Sequence, residues 1–309
     1  MSEVPAPTGA ALWARLLTAW SALPPNTRGA LFMVCGAISA TLMFTTVKLI
    51  GGRIDSVQIV FVRALFGIAV AVPVLMRRGG RGFRTGHLRL QVGTGVLGAI
   101  ALIGTFFALT RLELAGVTVV MFTRPMFLLL LAMLFLGEAM RAGRWLATLM
   151  GFVGVLVIVK PAGIVEVAAL AVIMSALVSA VMVVFIKKMA AADGPDIQLF
   201  YFNLTMAVVL IVPSVVVWTT PSWADLGLLL LVGVFGAANA TFNVFALRVG
   251  EATAVSPFDY TRLIFATLIG FLLFSEIPDS WFWLGAAMIV AANLYIVRSR
   301  PKFKPNAVE

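Results

Sequence analysis

Charged side chains are scarce in this chain of 309 residues. They make up 12% of it, while 61% is hydrophobic. A soluble domain carries about 25% charged residues, so one this size could not hide so much apolar surface from water. Cysteine and histidine are scarcer still, with Cys35 and His87 alone. One cysteine excludes an internal disulfide, and a lone Cys and a lone His make no metal set. No cofactor or metal is expected. There is no G-x-x-x-x-G-K-[ST] loop, and no Ser/His, paired-Asp or His-rich cluster at depth, so neither an ATP-driven pump nor an enzyme is indicated and no catalytic residue is assigned. The formal charge of +10 would point a soluble protein towards nucleic acid. Here the basic residues fall in short connections and in the tail, and no nucleic-acid partner is inferred.

What is abundant is apolar sequence in lengths that fit a bilayer. A spanning helix needs about 20 such residues. Ten candidates run over 29–49, 57–76, 90–109, 115–136, 144–160, 166–186, 197–218, 225–246, 252–274 and 281–297. Residues 1–28 show no cleavable signal. Leu12, Trp13, Leu16, Leu17 and Trp20 recur there at helical spacing, which predicts a short interfacial helix. When the 23 Lys and Arg are sorted by alternating sides, sixteen share the side of the N-terminus, four take the other, and Arg63, Arg124 and Arg262 lie within spans. The positive-inside rule then places both termini in the cytoplasm. A bacterial inner-membrane protein, with a basic tail at 299–309, is expected.

The chain repeats itself. A shift of 138 residues lays 95–160 on 233–298 with 21 identities in 66 positions. Among them are Arg124/Arg262, Glu113/Glu251, Glu138/Glu276 and Trp145/Trp283, which apolar composition alone would not align. Upstream, a shift of 140 pairs Lys48 with Lys188, Gln58 with Gln198 and Pro73 with Pro213. The repeats occupy 29–160 and 166–298, five helices each. An odd number forces the second half to enter from the opposite side, so the expected fold is all-α, ten spans in two inverted halves. That device recurs in transporters, with the substrate near the midplane and the halves rocking about it.

The segments FVRALFGIAVAVPVL (61–75), VTVVMFTRPMFLLLLAMLFLGE (117–138) and VSPFDYTRLIFATLIGFLLFSE (255–276) resemble those of the drug/metabolite transporter superfamily, EamA type. The resemblance covers about 29–298. It implies a central cavity lined by helices 1, 3, 4, 6, 8 and 9, with 5 and 10 supporting. It also implies a substrate among amino acids, cofactors and related metabolites. The frequent proline of helix 4 is Pro125. Helix 9 has Leu263 in that register, with Pro257 earlier.

A charge at the bilayer centre costs at least about 2.5–3.5 kcal/mol, so each must face a cavity or a partner. Arg124 and Arg262 each lie about nine residues, roughly 13 Å, into their spans. Either can hold a substrate carboxylate or phosphate, or join a structural ion pair. For Arg262 the pairing partner is Asp259 at i−3. Asp259 can balance an arginine, bind a substrate amine or carry a coupling proton. Tyr260, Asn239, Asn243, Phe122 and Phe107 are candidates for the cavity wall. Arg63 can snorkel to the interface or serve structure. Glu138 and Glu276 end helices 4 and 9 and are read as braces against an arginine. With Pro125 and Pro257 they form the structural and gating set. The expected activity is secondary transport of a small zwitterionic or anionic metabolite, by efflux; import of a cofactor or nucleoside-like compound is the alternative. Proton coupling, and either a monomer or a homodimer, fit the sequence.

Overall fold

The computed structural model describes residues 23–77, 83–136, 142–159, 167–189 and 193–298. The N-terminal amphipathic segment, Glu138 and the basic tail lie outside them. We number the spans α1 (Pro25–Ile50), α2 (Ser56–Met76), α3 (Leu88–Leu109), α4 (Leu114–Met121 then Arg124–Leu136), α5 (Ala142–Val159), α6 (Val167–Met189), α7 (Pro195–Val216), α8 (Trp223–Val249), α9 (Ala252–Val255, a 3-10 turn Ser256–Tyr260, then Thr261–Phe274) and α10 (Ser280–Arg298). Eight of the ten are long and apolar enough to cross a membrane by length and composition, and α5 and α10 are the two shorter apolar helices. At 18 and 19 residues they still reach about 27 Å, close to the hydrocarbon thickness.

Local chemistry sets the ends. Pro25 and Pro195 open α1 and α7, where a missing N–H costs nothing. Gly51, at φ 61°, closes α1 and donates its N–H to the Val47 carbonyl. Asp55 accepts from the Val57 N–H to cap α2, and Ser222 with Asp225 forms a capping box on α8. Loops are held by buried polar groups. Arg53 donates to Asp225 at 2.9 Å, and Gln58 exchanges two hydrogen bonds with the Thr219 backbone. At the opposite end Asp193 accepts from Thr85 and Gln91.

The packing obeys a two-fold. α1 lies on α8, as its repeat mate α6 lies on α3; α2 meets α8, as α7 meets α3; α1 meets α9, as α6 meets α4. α2 crosses its own mate α7, and α5 crosses α10. These pairings make the repeat inverted in space as well as in sequence. Nearly all the closest helix pairs join one half to the other. Across the two-fold, α2 packs on α7 and α4 on α9, so the helices of the two halves interleave.

Glycine permits these approaches. A Cβ on Gly95 or Gly98 would strike Thr205 and Phe202 of α7, and one on Gly233 or Gly236 would strike Phe66 and Arg63 of α2. The repeated glycines are therefore sockets for α2 and α7 side chains, a sharper role than a generic small-residue face. Where α5 meets α10 the contact is backbone on backbone: a Cβ on Gly154 would sit 2.8 Å from the Gly285 carbonyl oxygen, and one on Gly285 2.5 Å from that of Gly154. Gly285→Val must push the two helices apart. It is expected to cost about 1–3 kcal/mol, read as a drop of several degrees in the melting temperature of the purified protein.

Candidate functional site

Both α4 and α9 break at the same register of the repeat. In α4 the break is at Phe122–Thr123, just before Arg124 and Pro125. In α9 it is the 3-10 turn Ser256–Tyr260, just before Thr261 and Arg262. Pro125 and Pro257 cannot donate an N–H to the preceding turn. The two Thr residues close the gaps in the same way: Thr123 Oγ1 donates to the Val120 carbonyl and Thr261 Oγ1 to that of Phe258, each at 2.7 Å. The break in α9 thus forms even with Leu263 in the proline register.

The breaks meet. The rings of Phe122 and Tyr260 pack edge to face with centroids 4.9 Å apart. These residues are mates under the 138-residue shift. Mates that touch must lie at the two-fold axis, and Arg124 follows Phe122 by two residues, opening the second segment of α4. It lies within the fields of Asp259, Arg262 and Tyr260, and its side chain is exposed. No carboxylate stands within ion-pair distance of Arg124 among the described residues. Arg262 differs, since its Nη2 donates to Asp259 Oδ1 at 2.8 Å. Its Nε is buried without a partner, and its carbonyl accepts a long 3.5 Å bond from Thr41 Oγ1 of α1.

Asn239 Nδ2 donates to the Gly36 carbonyl and so clasps α8 to α1, while Asn243 Nδ2 donates to the Asn239 carbonyl within α8. Phe107 lies under the Arg111 guanidinium, 3.7 Å from the ring centroid, at the C-terminal end of α3. Arg63 does not snorkel; it lies against Gly236 in the middle of α8. Glu276 braces a helix end, but its cation is a lysine. Lys48 Nζ lies 2.6 Å from Glu276 Oε1, donates to the Leu112 carbonyl and sits over the Phe274 ring. Glu276 Oε2 accepts from the Leu114 N–H that begins α4. This lock ties α1, α4 and α9 together at the end remote from the termini.

Sequence reasoning missed Lys48 as a site residue, although its identity with Lys188 was visible. It also missed Asn293, whose only signal is an amide alone in the apolar run of α10. Asn293 is fully buried and donates Nδ2 to the Phe122 carbonyl at 2.8 Å, satisfying an acceptor that the α4 break exposes.

Residues 27–160 and 167–298 each match the model of the EamA-like transporter family. The chain belongs to that family. Among its relatives, the S-adenosylmethionine uptake transporter of Rickettsia felis is 30% identical, over 82% of this chain and 87% of that one. The riboflavin transporter of Brucella anthropi is 30% identical, over 85% and 95%. The pseudopaline exporter CntI of Pseudomonas aeruginosa is 30% identical, over 88% and 96%. A solved crystal structure shares the fold at a TM-score of 0.62, with 18% identity over 87% of this chain and 96% of its own. The protein is a small-molecule transporter of the membrane, not an enzyme.

The lock of this transporter yields a test. Lys48 and Glu276 are both largely buried. Lys48→Met strands a carboxylate and is expected to cost about 3 kcal/mol, while Lys48→Met with Glu276→Gln recovers most of it. A double-mutant cycle on denaturation of the purified protein measures the coupling; additive effects would show that the pair contributes nothing.

Proposed function

We propose that this transporter carries a small metabolite bearing a carboxylate or phosphate, zwitterionic or anionic, by alternating access at the two-fold axis. The observation that carries the reading is Arg124: an exposed arginine at mid-span that opens a half-helix, with no carboxylate within ion-pair distance among the described residues. Arg–carboxylate and Arg–phosphate pairs are often bidentate, which supplies geometry as well as energy. Asp259 is engaged with Arg262. A substrate anion that competes for Arg262 releases Asp259, which then holds a proton or a substrate amine; that exchange is a route to coupling. The two repeat halves rock about the two-fold axis as the site alternates.

We place the protein in a bacterial inner membrane with both termini cytoplasmic, and take its direction as efflux. The relatives named above include an uptake transporter and an exporter, and a carrier that alternates runs either way with its driving gradient. Uptake of a cofactor-like metabolite is the second reading, favoured by the S-adenosylmethionine uptake relative.

A melting-temperature screen of the purified protein against a metabolite panel identifies ligands, because a ligand bound to the native state raises the transition. Arg124→Ala is expected to weaken the ligand so found about 10- to 100-fold, the loss of one charge-assisted hydrogen-bond set, with the protein still folded in the membrane. Wild-type flux of that ligand in vesicles bearing Arg124→Ala would refute the site. Asp259→Asn is expected to abolish pH-driven flux and to keep substrate exchange; if pH-driven flux survives, coupling does not run through Asp259.

A further inference from the structure

Arg63 lies seven residues inside α2, and its guanidinium points to the midpoint of α8. A Cβ built on Gly236 would lie 2.8 Å from Arg63 Nε, 3.4 Å from its Cζ and 3.2 Å from Met43 Sδ. The group therefore rests on bare α8 backbone, between α2 and α1. Its Nε and Nη1 are buried with no hydrogen-bond partner. No carboxylate stands within ion-pair distance of it among the described residues. The residue as a whole is only half-buried, so part of it meets open space.

The repeat supplies an internal control. The mate of Gly236 is Gly98, and that socket is filled by the ring of Phe202. Packing at this position is thus met by an apolar ring in one half. The mate of Arg63 itself, under the 140-residue shift, is Asn203, whose Nδ2 donates to the Leu199 carbonyl one turn back. Only the α2 side carries an unpaired charge. An isolated guanidinium in a low-dielectric interior costs stability and returns nothing in the empty protein. More than six residues from either end of a span, the described residues hold three guanidinium groups, Arg63, Arg124 and Arg262, and one carboxylate, Asp259. The interior is left with a formal charge of +2.

We propose that Arg63 is a second anion-binding residue of the transport site, and that the carried molecule presents two anionic groups, one to Arg124 and one to Arg63. The proposal rests on the reading of Arg124 given above and narrows the substrate class to dicarboxylates, phosphates and other molecules of net charge near −2, which would neutralise the cavity.

The test uses the purified full chain and stated probes at pH 8: glutarate, succinate and inorganic phosphate, against acetate at matched ionic strength. The doubly charged probes are expected to raise the wild-type melting temperature more than acetate does. Arg63→Met is expected to keep or raise the ligand-free melting temperature and to need about tenfold more glutarate or phosphate for the same shift. Arg63→Lys, which keeps the charge and loses the fork, is expected to fall between. A fall of several degrees in ligand-free Arg63→Met would show a structural role and overturn the proposal. So would a wild-type protein that ignores all three doubly charged probes, or equal responses from wild type and Arg63→Met. Arg124→Ala separates the two readings. Loss there with a full response in Arg63→Met leaves the Arg124 site standing and removes this one; the reverse pattern removes the Arg124 reading and, with it, the two-point substrate proposed here.

Discussion

In hydrocarbon an unpaired backbone amide finds no water, so a spanning chain must be helical wherever lipid can reach it. A helix can break at depth only where protein encloses the break. This transporter breaks two helices, and the rest of its architecture encloses those breaks. Thr123 and Thr261 return a hydroxyl to the freed carbonyls. Asn293 reaches from α10 to the Phe122 carbonyl. The Phe122 and Tyr260 rings seal one break against the other. What the enclosure leaves accessible is Arg124, at the new helix N-terminus.

Symmetry locates the site, and departures from symmetry give it chemistry. Where the first half has Met121, the second has Asp259, and one of the two mate arginines is neutralised while the other is not. Where Val155 lies in α5, α10 has Asn293. The socket of Gly98 takes a phenyl ring, and that of Gly236 takes a guanidinium. A perfect two-fold would bind a substrate in two equivalent poses. These three differences make the two sides of the axis chemically unequal.

Much of this was legible in the sequence because bilayer physics leaves few options. Apolar length gave the spans, and the odd helix count of the repeat gave inversion. The Thr-Arg pair at matching positions gave the depth of the site, and Asp259–Arg262 at i, i+3 gave its ion pair. The rest depended on which helices touch, which no local pattern encodes. Asn239 and Asn243 read as cavity polar groups at helical spacing, but one face of α8 meets α1 and the Gly36 carbonyl takes the first amide. Arg63 read as an interfacial residue from its depth alone; its direction follows from a glycine 173 positions away. Lys48 looked like an ordinary basic residue at a helix end until α9 brought Glu276 to it.

Alternating access needs two end states of similar free energy, since a ligand can shift an equilibrium only by its differential affinity for them. Here the end remote from the termini is held by Lys48, Glu276 and the first N–H of α4. The repeat writes the same residue types at the other end: Lys188 mates with Lys48, and Glu138 with Glu276. Lys188 is exposed in this conformation. An ion pair worth a few kcal/mol at one end alone would trap a carrier in one state. The same pair encoded at both ends cancels to first order when one forms as the other opens. The inverted repeat therefore does more than place mate arginines at an axis. It writes the residue types of this lock a second time, at the opposite ends of the mate helices, which is the balance an alternating carrier requires.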